Sequence, residues 1–172
     1  YPVKMVFCQD CKLAQLSYTV DPNLLFKEQY IYTSSSNTSF KVHLQNFAKN
    51  VINRFNLTSK DLVIDIGSND GTFLEPFIDN NIKAVGVDPS SIGRVSIERG
   101  IPTINDFFNE QVAKNILETY GKARIITILN VFQHVKELGS LMKGVKLLLE
   151  DSGVFVIQSH YLLDLVQKLQ HD

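Results

Sequence analysis

The chain has little of what usually marks a protein's class at a glance. Its 172 residues hold only two cysteines, Cys8 and Cys11 in "FCQDCKL", which excludes a disulfide-stapled fold. No stretch approaches the roughly 20 consecutive apolar residues of a membrane span. The opening "YPVKMVFCQD" lacks the ordered cationic lead, apolar core and small-residue cleavage site of a secretory leader. With 17 Lys and Arg against 18 Asp and Glu, the net charge is -1, so no excess of positive charge draws nucleic acid or an anionic membrane. Neither an internal repeat nor a low-complexity tract occurs beyond the Ser/Thr patch at Thr33 to Ser36, which reads as a loop. What remains is a composition of 44% hydrophobic and 20% charged residues, ordinary for a globular domain with a real core. A cytoplasmic protein is expected, with neither a nucleic-acid nor a membrane partner.

Against these absences the chain carries a strong pattern. Asp21-Pro22 opens a short helix. From Phe40 to Phe55, apolar residues recur at spacings of three and four, as on an amphipathic helix packed against something larger. Strand-like and helix-like segments then alternate. "LVIDI", "KAVGVD", "IPTI", "ARIITILN" and "GVFVIQ" read as strands. "TFLEPFIDNN", a stretch from Ser90, "EQVAKNILETYG", the stripe Leu138, Leu141, Met142, Val145, Leu148 and Leu149, and a segment from Tyr161 read as helices. The strands are continuous apolar runs, the mark of strands buried on both faces. The expected fold is therefore α/β: a Rossmann-like, doubly wound, mostly parallel sheet with five strands present.

In such a sheet ligands bind beyond the carboxyl ends of the strands, which directs attention to four places. The first is "VIDIGSNDG". Its spacing, Gly67-Ser68-Asn69-Asp70-Gly71, differs from the G-x-G-x-x-G of a dinucleotide turn, and no Gly-Lys-Ser/Thr follows for a P-loop. Asp65 and Asp70 would repel a pyrophosphate and favour a cationic ligand. The second is "VGVDPS", where Asp88 ends a strand in position to accept from ribose hydroxyls and Pro89 offers a flat surface to a base. In "TINDFF", Asp106 and Phe107 could read an adenine edge. In "LNVFQHV", Asn130 and His134 lie four apart and would share a helix face, with His134 suited to proton transfer. Taken singly, the glycine turn could serve backbone shape alone, Asp88 and Asp106 could be helix caps, and His134 a packing histidine. His43, His160 and His171 show no partner pattern and are expected at the surface or in packing.

In order and spacing, "VIDIGSNDGTFL", "VGVDPS", "IPTINDFF" and "NVFQHV" resemble class I S-adenosylmethionine-dependent methyltransferases. More narrowly they are similar to sugar C-methyltransferases acting on nucleotide-linked deoxysugars, and "LLFKEQYIYTSS" resembles that family's segment before the core. The resemblance implies that the turn at Asp65, Gly67, Ser68, Asn69 and Gly71 holds the methionine part of S-adenosylmethionine. It puts Asp88 at the ribose, with Pro89 under the base, Asp106 and Phe107 at the adenine, and Asn130 beside the donor. It implies catalytic roles for Tyr32 and His134 toward a nucleotide-linked sugar. The acids then stabilise a sulfonium and an ammonium.

The family also carries an N-terminal zinc module of two CxxC pairs, of which Cys8 and Cys11 match only the second. Two thiolates are half of a structural zinc site, so zinc is expected only in a longer protein. The chain opens at Tyr1 rather than Met and stops before the family's Tyr-His-Glu-His stretch. An interior portion of a longer enzyme is expected, binding its cofactor weakly alone and turning over poorly. Its parts would be a zinc-module remnant at 1–20, a helical lead-in at 21–59, and an S-adenosylmethionine-binding domain at 60–172, truncated at its carboxyl end. An O- or N-methyltransferase, or a Rossmann module that binds a nucleotide without catalysis, stand as alternatives.

Overall fold

The structure, a computed structural model, describes residues 4–169; His171 lies outside them. A small antiparallel hairpin, β1 (Met5–Phe7) and β2 (Ala14–Leu16), comes first and carries Cys8 and Cys11 in its connection. A short helix α1 (Pro22–Phe26) follows, capped by the Asp21 side chain on the Asn23 N–H. The long helix α2 (Thr38–Phe55) begins where the Asn37 side chain accepts from the Phe40 N–H.

The sheet has the order β5-β4-β3-β6-β7, and every neighbouring pair is parallel. Its strands are β3 (Leu62–Ile66), β4 (Lys83–Val87), β5 (Thr103–Ile104), β6 (Ala123–Leu129) and β7 (Leu149–Gln158). Between them run α3 (Glu75–Asp79), α4 (Ser91–Glu98), α5 (Glu110–Tyr120) and α6 (Leu138–Leu148), and α7 (Leu162–Gln167) ends the described chain. All five residues of β3 are buried, because the sheet is covered on both faces. Its alternating side chains sort into two layers. Leu62, Ile64 and Ile66 meet Val112, Ala113 and Ile116 of α5 and Leu141, Val145 and Leu148 of α6. Val63 meets Leu44, Ala48 and Val51 of α2 and Phe77 of α3. Helix α2 is thus part of the same core as the sheet.

Several boundaries differ from the sequence pattern, each for a physical reason. The helix after the glycine turn is only Glu75–Asp79, since the Pro76 ring would clash with the carbonyl of residue 72 in any earlier helical turn. Leu149 closes no helix: its backbone is extended and it opens β7. It packs on the same core either way, so apolar spacing could not assign it. The Ser patch is a 3-10 turn, Ser34–Ser36, rather than an irregular loop. Asn130 and His134 share no α-helical face. Asn130 takes a left-handed φ of 57°, and only a 3-10 turn, Phe132–His134, follows. Among the described residues no helix is long and apolar enough to cross a membrane.

Candidate functional site at the carboxyl edge of the sheet

The chain order of the sheet reverses between β3 and β6, and a crevice opens there, where open α/β sheets place their ligands. The turn leaving β3 forms its floor. The Gly67 N–H donates to the Val87 carbonyl at 2.8 Å, stitching the turn to the next strand end. Gly67 has φ 76°, and a Cβ there would run into the Val131 side chain, so both conformation and space demand glycine. Gly71, φ 78°, closes the turn against Ile101 and Ser96 and lines neither of the two cavities that meet over it.

Two cavities meet over this turn. The first, about 390 Å³, lies on the α5/α6 side and is bounded by Asp88, Pro89, Ser90, Phe107, Phe108 and Asn109, with Phe26 and Tyr30 above. The second, about 430 Å³, lies on the α2 side and is bounded by Asp65, Ser68, Tyr32, Gln133 and His160. Tyr30, Gly67, Asn69, Asn130, Val131 and His134 line both and form their junction. Each is of a size usual for small-molecule sites, about 300–1,000 Å³.

Asp88, 5% exposed, is held rigidly. One oxygen accepts from the Asn69 N–H at 2.9 Å; the other accepts from the Ser90 N–H at 2.9 Å and the Ser90 hydroxyl at 2.5 Å. A carboxylate offers about four acceptor sites. Three are taken, so Asp88 has one left for a ligand hydroxyl, and a two-pronged grip requires the Ser90 hydroxyl to turn away.

The acids of the turn divide. Asp65 sits opposite Thr127, whose hydroxyl donates to it at 2.6 Å. Burial, with a smaller contribution from the Asp88 charge, pushes its carboxyl up to about 7 despite that bond. Asp70 faces neither cavity. It accepts from the Ser35 N–H at 3.0 Å and the Thr72 N–H at 3.2 Å, with Arg99 3.9 Å away. Burial raises its carboxyl, but the bonds from Ser35 and Thr72 outweigh this and hold it below the usual range. The expected acid cluster toward a cation is therefore Asp65 and Asp88 without Asp70. Beside Asp65, the Ser68 hydroxyl is buried and has no hydrogen-bond partner among the described residues.

Of the residues expected at the site, Asp65, Gly67, Ser68, Asn69, Asp88, Pro89, Phe107, Asn130, Tyr32 and His134 line one or both cavities. Asp106 does not. It is exposed, and its carboxylate accepts from the adjacent Phe107 N–H at 2.7 Å. The polar group at that end is Asn109, whose side chain also caps α5. Cys8 and Cys11 lie on the hairpin. Backbone N–H groups of Cys11 and Asp10 draw the Cys8 thiol below its ordinary pKa, but no group of three His, Cys, Asp or Glu among the described residues is placed to hold a metal.

Tyr30, Phe26 and His160 were not singled out from sequence. His160 follows β7 and reaches the second cavity, with Nδ1 3.4 Å from Gln133 Nε2; applying the strand-end rule to that strand would have found it. Phe26 and Tyr30 are four apart, their rings edge-on at 5.8 Å, and Phe26 also lies 5.6 Å from the His134 ring. Burial, with the charge of Asp88, raises the Tyr30 phenol.

A parallel sheet with two cavities at its switch point is an α/β ligand-binding frame. Residues 40–171 match the family described as methyltransferase domain, and the chain belongs to it. The C-methyltransferase NovU of Streptomyces niveus is 32% identical over 173 residues, a match covering 100% of this chain and 41% of that protein. The chain therefore spans well under half the length of this curated relative. Among solved structures, the PH0226 protein of Pyrococcus horikoshii superposes with a TM-score of 0.61 at 18% identity, covering 87% of this chain and 63% of that one. A SAM-dependent methyltransferase of Archaeoglobus fulgidus gives 0.57 at 20% identity, covering 69% and 52%. At these identities the structures speak for the fold.

Proposed function

We propose that the chain is the donor-binding part of an S-adenosylmethionine-dependent methyltransferase that methylates a carbon of a nucleotide-linked keto-deoxysugar. The observation that carries this reading is the junction itself. Two cavities of small-molecule size meet at Gly67, Asn130 and His134, one ending on Asp88 and aromatic rings, the other on Asp65. The donor set suits a molecule with a ribose, a purine and two positive centres. Asp88 keeps one acceptor site for a ribose hydroxyl; Pro89, Phe107 and Phe108 offer apolar faces to a base. Asp65 accepts an ammonium, and Ser68 holds an unspent hydroxyl beside it. Among the described residues, Lys136 is the one Lys or Arg lining either cavity, and Glu137 lines the same one.

When bound, S-adenosylmethionine supplies an electrophilic methyl group. A carbon acceptor must first lose a proton alpha to its carbonyl. We assign that step to His134, a reading supported by its lining both cavities, with its ring against Phe26. Tyr32 lines the second cavity, which this reading assigns to the acceptor. The 32% identity to a C-methyltransferase supports the carbon acceptor. The test is His134→Ala in a protein carrying the remaining segments of its relatives. Carbon methylation should fall by on the order of 10²- to 10⁴-fold, the usual worth of a positioned base, with S-adenosylhomocysteine binding kept. Unchanged methylation would remove His134 from proton transfer and favour an oxygen or nitrogen acceptor.

A further inference from the structure

The roof of both cavities comes from outside the segment that matches the methyltransferase-domain family. A strap from Asp21 to Ser36 crosses above the crevice, placing Phe26 and Tyr30 over the first cavity and Tyr32 and Ser34 over the second. Little of it is buried: no residue of α1 is, and Ile31 is 87% exposed. Polar ties hold it down. The Glu28–Arg94 ion pair, 2.9 Å, is exposed and of a kind that contributes little. Ser91 Oγ reaches the Tyr30 carbonyl only at 3.5 Å.

The short bonds run to the glycine turn. Asn69 Oδ1 accepts from the Ser34 N–H at 2.8 Å, and Asn69 Nδ2 donates to the Tyr32 carbonyl at 2.9 Å. The carboxamide thus pairs with the strap as a peptide group pairs across a sheet, and the identity of its partners fixes its orientation. Asp70 adds its bond from the Ser35 N–H. The same Asn69, 8% exposed, donates its own backbone N–H to Asp88 at 2.9 Å. One residue therefore touches the strap with its side chain and the ribose anchor with its main chain.

We propose that Asn69 is a positioning residue that couples seating of the strap to occupation of the donor cavity. This rests on the donor-site reading above. A ligand bound at Asp88 fixes the Asn69 backbone, the fixed backbone orients the carboxamide, and the carboxamide seats Tyr30 and Tyr32 over the crevice. Coupling of this kind is reciprocal: the factor by which ligand steadies the strap equals the factor by which a seated strap tightens ligand.

Two substitutions cut the clamp without touching Asp88. Asn69→Gly keeps the left-handed φ of 53° without strain and keeps the N–H to Asp88, losing only the carboxamide. Ser34→Pro removes one donor from the strap side. Ser34 opens a 3-10 turn after an extended Thr33, φ -115° and ψ 132°, a place that accepts proline. Hydrogen exchange of residues 30–36 is followed in the full chain with and without S-adenosylhomocysteine, alongside the dissociation constant. In the unsubstituted chain the ligand should slow strap exchange on the order of 10-fold, within the usual range of such coupling. In both variants that slowing should vanish, and the dissociation constant should rise by the same factor. Variants whose strap the ligand still slows by the unsubstituted factor, whether or not its exchange is faster overall, overturn the coupling. Failure of the unsubstituted chain to bind S-adenosylhomocysteine would instead overturn the donor-site reading, so the two failures are told apart.

Discussion

The floor and the roof of the crevice are built on opposite physical terms. The floor is strand ends and a glycine turn sunk in the core, with Ile66 4% and Asp88 5% exposed and backbone bonds from Gly67 and Asp88 to neighbouring strands. The roof is a strap with Leu24 at 61% and Tyr32 at 47% exposure, held by side chains of the floor. A floor made this way owes its shape to the sheet, so a change there alters stability and binding together. A roof made this way has little to lose in stability, and its changes should appear mostly in ligand binding.

The sharpest way to break that contrast is at Gly67. Gly67→Ala forces a Cβ toward Val131 at a positive φ; left-handed strain and overpacking together cost about 2–5 kcal/mol. Urea unfolding and S-adenosylhomocysteine titration should both register the loss. Asp88→Ala comes next. It leaves the buried Asn69 and Ser90 amides without their acceptor, a penalty of about 1–3 kcal/mol for each unsatisfied group, and binding falls with it.

Asp65→Asn should go the other way in stability. Below about pH 4 the folded and unfolded states both hold this proton. Between there and the folded value of about 7, the folded state keeps a proton that the unfolded state has released, so folding stability falls as pH rises through that window. The asparagine variant loses this penalty, so it should be more stable at pH 8 by about 1–3 kcal/mol after the weaker Thr127 bond is set against about 1.4 kcal/mol per unit. Melting temperatures from pH 5 to 8 for both chains would show the gap opening with pH. S-adenosylhomocysteine affinity should nevertheless drop, placing this floor residue on the side of function against stability.

The smallest stability effect belongs to the roof. Phe26→Ala should cost under about 1 kcal/mol, as expected of a half-buried residue on an exposed segment. It should weaken ligand binding several-fold by uncovering the His134 ring.

How far the site could be read from sequence follows the same division. The floor was legible because strand periodicity locates strand ends, and strand ends locate ligands in a parallel sheet; Asp65, Gly67, Asp88 and His134 came from that rule. The rule fixes a position and leaves the direction of the side chain open. Hence Asp106 was expected at the base and instead bonds to its neighbour's N–H, and Asp70, expected toward the ligand, turns to the strap and Arg99. The roof was illegible for a different reason. Its contacts join residues 35 or more apart in sequence, as in Ser34 to Asn69, and are made by backbone groups that leave no compositional trace. "TSSS" read as a loop, and nothing local said that its N–H groups meet the glycine turn.

The central claim is that this crevice holds an adenosyl donor of methyl groups, and calorimetric titration of the 172-residue chain tests it most directly. S-adenosylhomocysteine should bind once per chain, weakened by Asp88→Ala and by Asp65→Asn, while NAD gives no saturable heat. Binding of NAD without binding of S-adenosylhomocysteine would contradict it.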